Sequence, residues 1–177
     1  MEKVKVAVDT NCIIALFRQG EVIHKYMVHI REMHQKGEIE FYTSLKTIDE
    51  IEKGVLIYGS DPLNYASSLP LLPNYLIGTW NDQVGPWESL AGTWDGKNED
   101  LQKKIHNLTK KGVKIRDRQI VIDSYLGGMH VLLTNDHGLC DGGSAGRLRE
   151  EFGILVLSPE KFISKFPEIM SYIQESL

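Results

Sequence analysis

Four short apolar segments determine what this chain can fold into, because longer stretches of helical character separate them. Each segment is rich in β-branched residues and bounded by turn residues, which is typical of strands buried on both faces of a parallel sheet. The predicted strands are Val4–Val8, Ile39–Thr43, Val131–Thr134 and Ile154–Leu157. The predicted helices are Glu21–Lys36, Leu45–Lys53, Asp117–Leu126 and Glu160–Gln174. This alternation predicts an α/β fold, a three-layer α/β/α sandwich around a mostly parallel sheet.

The region from about residue 58 to residue 110 breaks this alternation. It contains the three tryptophans of the chain, and its predicted helix begins only after Glu99. We interpret the 177 residues as a single domain, 1–177, with an insertion at about 58–110. Tryptophans are most often core residues, but they also stack on unpaired bases in single-strand binders. The sequence leaves both roles open for Trp80, Trp87 and Trp94.

Several features argue against a membrane protein or a disulfide-rich protein. The chain has no run of about 18 apolar residues, so we expect no membrane span. Its first residues form a charged strand pattern rather than a signal peptide. Two cysteines are too few for a disulfide scaffold and favour a reducing compartment. We therefore expect a cytoplasmic protein.

Acidic residues occur where a parallel sheet binds its ligands, beyond the carboxyl ends of its strands. Asp9 directly follows the first predicted strand, and Asp136 lies just beyond the third. Asp117 begins a predicted helix, and Glu50 lies on the helix after the second strand. Clustered carboxylates repel one another unless cations neutralise them, and oxygen ligands without histidine or cysteine suit Mg²⁺ or Mn²⁺. The sequence therefore predicts a site for one of these ions.

Four segments resemble, in the same order along the chain, the acidic motifs of PIN-domain ribonucleases. They are VDTNCII at Val8–Ile14, SLKTIDEI at Ser44–Ile51, DRQIVI at Asp117–Ile122 and TND at Thr134–Asp136. The resemblance implies endoribonuclease activity, in which water activated by carboxylate-bound Mg²⁺ or Mn²⁺ hydrolyses RNA phosphodiester bonds. It also implies a homodimer and, as in toxin–antitoxin pairs, an antitoxin or other inhibitory protein as a partner.

The resemblance also assigns roles to individual residues. The catalytic and metal-binding residues that it implies are Asp9, Glu50, Asp117 and Asp136. The further candidates are one more metal ligand, Asp141, and three residues that would orient the ligands or the attacking water by hydrogen bonds, Thr10, Asn11 and Thr134. Each of these residues also has a purely structural interpretation as a helix cap or a turn residue.

The acidic ligand on the helix is the least determined of these residues. The predicted buried stripe of that helix consists of Leu45, Ile48, Ile51 and Val55. Glu52 lies nearer to the centre of this stripe than Glu50 does, and the stretch from Thr47 to Glu50 also matches a capping box. Only the resemblance selects Glu50, so Asp49 and Glu52 remain alternatives.

A dense run of basic residues leads directly into Asp117. Its members are Lys110, Lys111, Lys114, Arg116 and Arg118. Such a run is often only a solvated surface, but beside an acidic metal site it suits contact with RNA phosphates. The formal net charge of −4 would be zero without the four acids of the predicted site, so those acids account for the excess of acidic over basic residues.

Two other functions remain open from the sequence. In an aspartate-based phosphohydrolase Asp9 would be the nucleophile, although such enzymes usually have a second aspartate where this chain has Asn11. In a non-catalytic PIN-like scaffold the same surface would bind RNA or a protein without cutting it. RNA binding that needs no metal and leads to no cleavage would favour the scaffold.

Overall fold

A four-stranded sheet forms the centre of the computed structural model, which describes residues 3–72, 97–109 and 113–175. Its strands are β1 (Val4–Val8), β2 (Ile39–Tyr42), β3 (Val131–Leu133) and β4 (Leu155–Leu157). They lie in the order β2-β1-β3-β4, and each neighbouring pair is parallel. The four predicted strands are therefore confirmed, and each end lies within one residue of its predicted position.

Helices connect the strands of the sheet. Those of the described residues are α1 (Thr10–Leu16), α2 (His24–Gln35), α3 (Leu45–Lys53), α4 (Val55–Tyr58), α5 (Asp61–Ser68), α6 (Lys97–Leu108), α7 (Ile115–Leu126), α8 (His137–Cys140), α9 (Gly142–Phe152) and α10 (Pro159–Glu175). None of them is long and apolar enough to cross a membrane. The predicted helices correspond to α2, α3, α7 and α10. The pattern does not predict α8 and α9, because α8 is too short to show a period and α9 begins with two glycines.

Successive residues of β1 enter two separate hydrophobic cores, one on each face of the sheet. Val4, Val6 and Val8 pack with residues of α1, α2 and α10 in the first core. Ala7 belongs to the second core, which contains residues of α6, α7 and α9. Since helices cover both faces of a parallel sheet, the fold is a three-layer α/β/α sandwich, as the sequence predicts.

The structure describes the two ends of the predicted insertion. Helix α5 packs against α3 and buries Ala66, and Leu71 forms a parallel bridge with Thr43 just beyond β2. Helix α6 confirms the helix that was expected after Glu99. Residues 73–96 lie outside the described residues, and the prediction for the three tryptophans lies there with them.

The order of the strands places the ends of β1 and β3 side by side. The chain passes from β1 to β2 on one side of β1 and later returns to β3 on its other side. The loops after β1 and β3 therefore diverge at a crevice, which is where parallel α/β sheets bind their ligands. The backbone N–H of Asp9 donates to the Leu133 carbonyl oxygen at 3.0 Å, so the pairing of the two strands continues as far as Asp9.

Candidate active site

Asp9 is held rigidly between the loops that follow β1 and β3. Its Oδ1 accepts a hydrogen bond from the Thr10 backbone N–H at 2.8 Å. Its Oδ2 accepts from the Thr134 hydroxyl at 2.7 Å and from Asn11 Nδ2 at 3.1 Å. Asp9 is also the N-cap residue of α1, so its structural interpretation and its predicted place in the site are compatible.

Burial raises the pKa of Asp9 above its ordinary value, although the nearby ammonium of Lys46 and the hydrogen bonds from Thr134 and Thr10 act in the opposite direction. The residue is only 6% exposed. Ionising a carboxyl in such a position costs free energy of folding, because the charged form loses its hydration. The hydrogen bonds from Thr134 and Thr10 and the charge of Lys46 offset part of this cost.

The ammonium of Lys46 lies among three carboxylates from different parts of the chain. Its Nζ is 3.9 Å from Asp9 Oδ1, 3.5 Å from Glu50 Oε1 and 3.3 Å from Asp117 Oδ1. Although burial lowers the pKa of Lys46, attraction to Asp9, Glu50 and Asp117 outweighs burial and raises the pKa above its ordinary value. Three of the four predicted acids therefore converge on one buried cation at the carboxyl edge of the sheet.

Glu50, rather than Glu52, faces this cluster. Glu50 Oε2 accepts a hydrogen bond from the Thr10 hydroxyl at 2.5 Å, whereas Glu52 is exposed on the opposite side of α3. The predicted buried stripe of this helix is partly wrong, because Leu45 is 44% exposed and Thr47 is buried in its place. Ser44 caps α3 beside the buried Thr47, and its hydroxyl oxygen accepts from the Thr47 N–H at 3.1 Å.

The capping of α3 by Ser44 also decides against a capping box that begins at Thr47. Asp49, the other alternative to Glu50, pairs instead with Lys53 one turn later on the same helix, at 2.6 Å. Both side chains of this pair are about half exposed or more, at 49% and 62%. Of the three acids considered on α3, Glu50 is the one that contacts Lys46 and Thr10.

Asp117 reaches the cluster from the first turn of α7. Helix α7 begins at Ile115, two residues earlier than predicted, so Asp117 is the third residue of the helix rather than its first. An acid in the first turn of a helix is stabilised by the backbone N–H groups that have no partner within the helix. Asp117 Oδ1 accepts a hydrogen bond from Lys46 Nζ. This contact joins α3 to α7 across the end of the sheet.

Asp136 and Asp141 lie in the loop after β3, where each caps a helix. Asp136 Oδ1 accepts from the Gly138 N–H at 2.7 Å at the start of α8. Its own N–H donates to the Thr134 hydroxyl, which in turn donates to Asp9, so one hydroxyl separates the two acids. Asp141 caps α9 and accepts from the Ser144 N–H at 3.3 Å. Both acids thus act as N-caps in the structure, and their role as ligands stays a prediction.

Asn11 connects the two loops that surround Asp9. Its Nδ2 donates to Asp9, while its Oδ1 accepts from the Asn135 backbone N–H at 3.0 Å. Thr10 contributes its backbone N–H to Asp9 and its hydroxyl to Glu50. The predicted supporting residues therefore contact the predicted acids directly, and they hold these acids in fixed orientations.

The predicted basic surface is described only in part. Lys110 and Lys111 lie outside the described residues, and Arg116 lies in the first turn of α7. Lys114 is exposed and is the N-cap residue of α7. The buried Nε of Arg118 has no hydrogen-bond partner among the described residues. Helix α7 thus brings basic residues next to Asp117, and their contact with RNA remains a prediction.

Lys46 is the residue of this site that the sequence analysis missed. It lies within the segment that resembles the second PIN motif, one helical turn before Glu50. A lysine and a glutamate four residues apart on a helix usually form a solvated surface pair. The sequence offered one indication that Lys46 belongs to the site, which is its spacing of four residues from Glu50, the acid that the resemblance selects.

The carboxylates of the cluster have the right chemistry for a divalent ion, but they are spaced for an ammonium. Within the described ranges, no group of three or more His, Cys, Asp and Glu side chains is close enough to hold a metal. Mg²⁺ binds oxygen ligands at about 2.0–2.1 Å, whereas the three carboxylates lie 3.3–3.9 Å from Lys46 Nζ. Binding an ion therefore requires the carboxylates to draw together. Carboxylate oxygens are the donor type that Mg²⁺ and Mn²⁺ prefer, and binding of either ion here stays a prediction.

Comparisons with known proteins assign no family to the chain. No protein-family model matches it, and no curated protein matches it. The function proposed below therefore depends on the geometry of the described residues and on the resemblance of four short motifs.

Replacement of Thr134 by valine is expected to lower the free energy of unfolding by about 1–3 kcal/mol. The Thr134 side chain is fully buried, and its hydroxyl donates to Asp9 and accepts from the Asp136 N–H. Thr134→Ser keeps both hydrogen bonds and removes only a methyl group, so it should cost about 1 kcal/mol or less. Urea unfolding of the three proteins measures the difference. Equal stability of the valine and serine variants would show that the hydroxyl does not stabilise Asp9.

Proposed function

We propose that this protein is a PIN-type endoribonuclease that hydrolyses RNA phosphodiester bonds with the help of bound Mg²⁺ or Mn²⁺. The observation that supports the proposal is the convergence of Asp9, Glu50 and Asp117. These acids come from the end of β1, from α3 and from α7, and they meet at the crevice where parallel sheets bind ligands. Such a cluster, with a buried carboxyl whose pKa is raised, is typical of functional sites.

In this proposal the four acids hold the ion, and their neighbours fix the acids in place. Asp9, Glu50, Asp117 and Asp136 are the ligands, with Asp141 as a further candidate. A bound Mg²⁺ or Mn²⁺ would make the attacking water more acidic and would stabilise negative charge on the leaving oxygen. Thr10, Asn11 and Thr134 orient the carboxylates by the hydrogen bonds described above. In the proposed reaction water attacks the phosphorus atom and the P–O3′ bond breaks, so the products carry a 5′-phosphate and a 3′-hydroxyl.

Asp9 is poorly placed to act as the nucleophile of an aspartate-based phosphohydrolase. Both of its carboxylate oxygens accept hydrogen bonds, and the residue is 6% exposed. Attack on a phosphorus atom requires an accessible oxygen whose lone pair is directed at the substrate. The geometry favours an acid that holds a cation over an acid that attacks.

A non-catalytic PIN-like scaffold is the second candidate function, and Lys46 is the observation that favours it. An ammonium among three carboxylates neutralises part of their charge without any metal. A protein that binds RNA or a protein partner through this surface needs no divalent ion. The two candidates differ in whether RNA is cut and in whether metal matters.

Incubation of the purified protein with a mixture of structured and single-stranded RNAs separates these candidates. One set of reactions contains Mn²⁺, the other contains a chelator, and Asp9→Asn protein purified in the same way is the control. The nuclease proposal expects shorter RNAs with 5′-phosphate ends in Mn²⁺ alone. Equal RNA binding with Mn²⁺ and with chelator, without any cleavage, supports the scaffold.

We also propose the partners and the compartment that the resemblance implies. The partners are RNA, a second copy of the chain in a homodimer, and an antitoxin or other inhibitory protein. A cytoplasmic location is supported by Cys12 and Cys140, which are both buried and free of disulfide bonds.

Lys114→Gln is expected to raise the KM for single-stranded RNA about two- to threefold. It should also reduce the steepness of the plot of the logarithm of the binding constant against the logarithm of the salt concentration by about 0.7. Lys114 is exposed at the start of the helix that carries Asp117, so it is placed to contact a phosphate. Lys25→Gln is the matched control, because the exposed Lys25 lies on α2, which packs on the opposite face of the sheet. Identical salt slopes for the two variants would contradict a phosphate contact by Lys114.

A further inference from the structure

A groove of about 300 Å³ follows the outer edge of the sheet, beside β4. All three residues of that strand, Leu155–Leu157, line the groove. Successive residues of a strand face opposite sides of a sheet, so a groove that touches all three lies at the edge of the sheet rather than on one face. Its two walls are α9, which packs in the second core, and α10, which packs in the first. The groove therefore separates the two helical layers of the sandwich.

Three positive charges surround the groove, although the chain as a whole carries a net charge of −4. They belong to Arg149 of α9 and to Lys161 and Lys165 of α10, which are all exposed. Lys161 Nζ donates to the Cys140 carbonyl oxygen at 3.2 Å, and its ammonium carries two further N–H donors. In the part of the chain that the structure describes, none of the three cations forms an ion pair with a carboxylate.

Two acids of the same helices contact residues outside the groove. Glu151 of α9 forms an ion pair with Lys104 of α6, and Glu160 of α10 accepts a hydrogen bond from the Tyr26 hydroxyl at 3.2 Å. Among the described residues that line the groove, Glu168 is the one acid. The groove therefore keeps an excess of positive charge, and an anion is its complementary ligand.

The interior of the groove favours an anion that also has a flat apolar part. Leu155 and Ile169 give it an apolar floor. At one wall the Arg149 guanidinium lies over the Tyr172 ring, 4.8 Å from its centroid, so the ring holds the guanidinium in place. Proteins that bind single-stranded RNA stack unpaired bases on aromatic rings and guanidinium planes and contact the phosphates with lysine and arginine. A nucleotide has both the charge and the flat surface that this groove requires.

One end of the groove lies close to the acidic cluster. The Leu157 carbonyl oxygen accepts from the Thr134 N–H at 3.0 Å, and the Thr134 hydroxyl donates to Asp9. Neighbouring strands are about 4.8 Å apart, so β4 lies about 10 Å from β1, the strand that Asp9 follows. Successive nucleotides of a stacked strand are about 3.4 Å apart, so about three nucleotides span this distance.

We propose that the groove between α9 and α10 binds single-stranded RNA beside the bond that is cut. Lys161 and Lys165 contact its phosphates, and Arg149 stacks on one of its bases. The RNA is single-stranded, because a base within a duplex is not free to stack on a side chain. The inference rests on the proposed function for the position of the cut bond, whereas binding in the groove itself requires no metal.

Binding of a fluorescently labelled oligouridine to the full chain, measured with chelator at several salt concentrations, tests this inference without cleavage. We expect Lys165→Gln to lower the binding constant about two- to threefold and to reduce the steepness of its logarithmic plot against salt by about 0.7. Arg149→Lys keeps the charge but loses the flat plane, so it should weaken binding about fivefold and leave the salt dependence unchanged. Lys25→Gln is the matched control, because Lys25 also lies over a tyrosine ring, that of Tyr26, but does not line the groove. It should bind as the wild-type chain does.

Photocrosslinking of an oligouridine that contains 4-thiouridine locates the bound strand, and we expect adducts on peptides of α9 or α10. Wild-type binding by both groove variants, or adducts confined to other elements, would overturn the inference and leave the nuclease proposal intact. Displacement of the RNA by a polyglutamate peptide of equal charge, at a lower concentration than by unlabelled RNA, would assign the groove to an acidic peptide and overturn it as well. Weaker binding by the groove variants, in a chain that cuts no RNA with Mn²⁺, would instead support the groove and contradict the proposed function. Circular dichroism checks that each variant is folded.

Discussion

Asp9→Asn is expected to abolish metal-dependent cleavage of RNA, with a loss of rate of at least about 100-fold. Residues that only support metal ligands typically cost about 10–100-fold when they are changed, so loss of a charged ligand should cost more. The substitution keeps the size of the side chain and leaves a carbonyl oxygen that can accept from Thr134 or Thr10. It removes the negative charge that lies 3.9 Å from Lys46. Single-turnover cleavage at saturating Mn²⁺ measures the effect.

Asp49→Asn provides the matched control for this experiment. Asp49 is also an aspartate, but it lies on the exposed side of α3 and pairs with Lys53. The same change of charge should therefore alter the cleavage rate by no more than about twofold, since exposed pairs contribute little. A wild-type rate for Asp9→Asn would show that this carboxylate does not hold the ion. Equal losses in both variants would indicate a general effect of charge rather than a site.

The layers of the fold could be predicted because the sheet is buried on both faces. Strands such as Val4–Val8 are then apolar at nearly every position, Lys5 being the exception in β1, and they stand out from the amphipathic helices even in a single sequence. The position of Asp9 followed from the same fact, because the first polar residue after a buried strand lies at the edge of the sheet. The approximate location of the site was therefore available before any coordinates.

The orientation of α3 could not be predicted, because a helical wheel considers only how apolar each residue is. It places Leu45 inside and Glu52 near the buried stripe, whereas Leu45 and Glu52 are both exposed. Thr47 faces the interior in their place and contributes a hydroxyl that contacts Ser44. The face that α3 buries is the one that packs against α1 and α5, and a helical wheel contains no information about these neighbours.

Lys46 could not be assigned to the site, because its surroundings depend on contacts far apart in the sequence. Its hydrogen-bond partner Asp117 is 71 residues away, and only the packing of the whole sandwich brings α7 next to α3. Local spacing shows just the pair with Glu50, which resembles many exposed pairs. The features that make this lysine unusual are its burial and its second and third acidic partners.

Asp9 and Lys46 affect the stability of the metal-free protein in opposite ways at neutral pH. The pKa of each is raised by folding, so the contribution of each group to stability is greatest at low pH and is lost as the pH rises through its folded pKa. For Asp9 this loss begins as the pH rises past the ordinary pKa of an aspartate, so ionisation of this buried carboxyl is a cost. For Lys46 the loss begins only in the alkaline range, so its favourable pairing persists at neutral pH. The lysine thereby offsets part of the cost of keeping the aspartate ionised.

We expect Glu50→Gln to cut RNA about 30-fold or more slowly than Glu52→Gln in the presence of metal. Glu50 accepts a hydrogen bond from Thr10 and lies 3.5 Å from Lys46, so its charge belongs to the cluster. Its replacement by glutamine preserves an acceptor for Thr10 and should still lower the rate by about 30-fold or more, because it removes a charged ligand. Glu52 is exposed two residues later on the same helix, and its replacement should leave the rate within about twofold.

This comparison is informative because both substitutions remove one negative charge from the same helix without changing its length or its cap. Cleavage is measured at saturating and at limiting Mn²⁺, and a larger defect at limiting Mn²⁺ identifies a loss of metal affinity. Thermal unfolding of the two metal-free variants shows whether the fold is retained. A defect in Glu52→Gln that equals or exceeds the defect in Glu50→Gln would contradict the orientation of α3. Since that orientation brings Glu50 to Thr10 and Lys46 to Asp117, the same result would also remove the structural basis for a common site with Asp9 and Asp117.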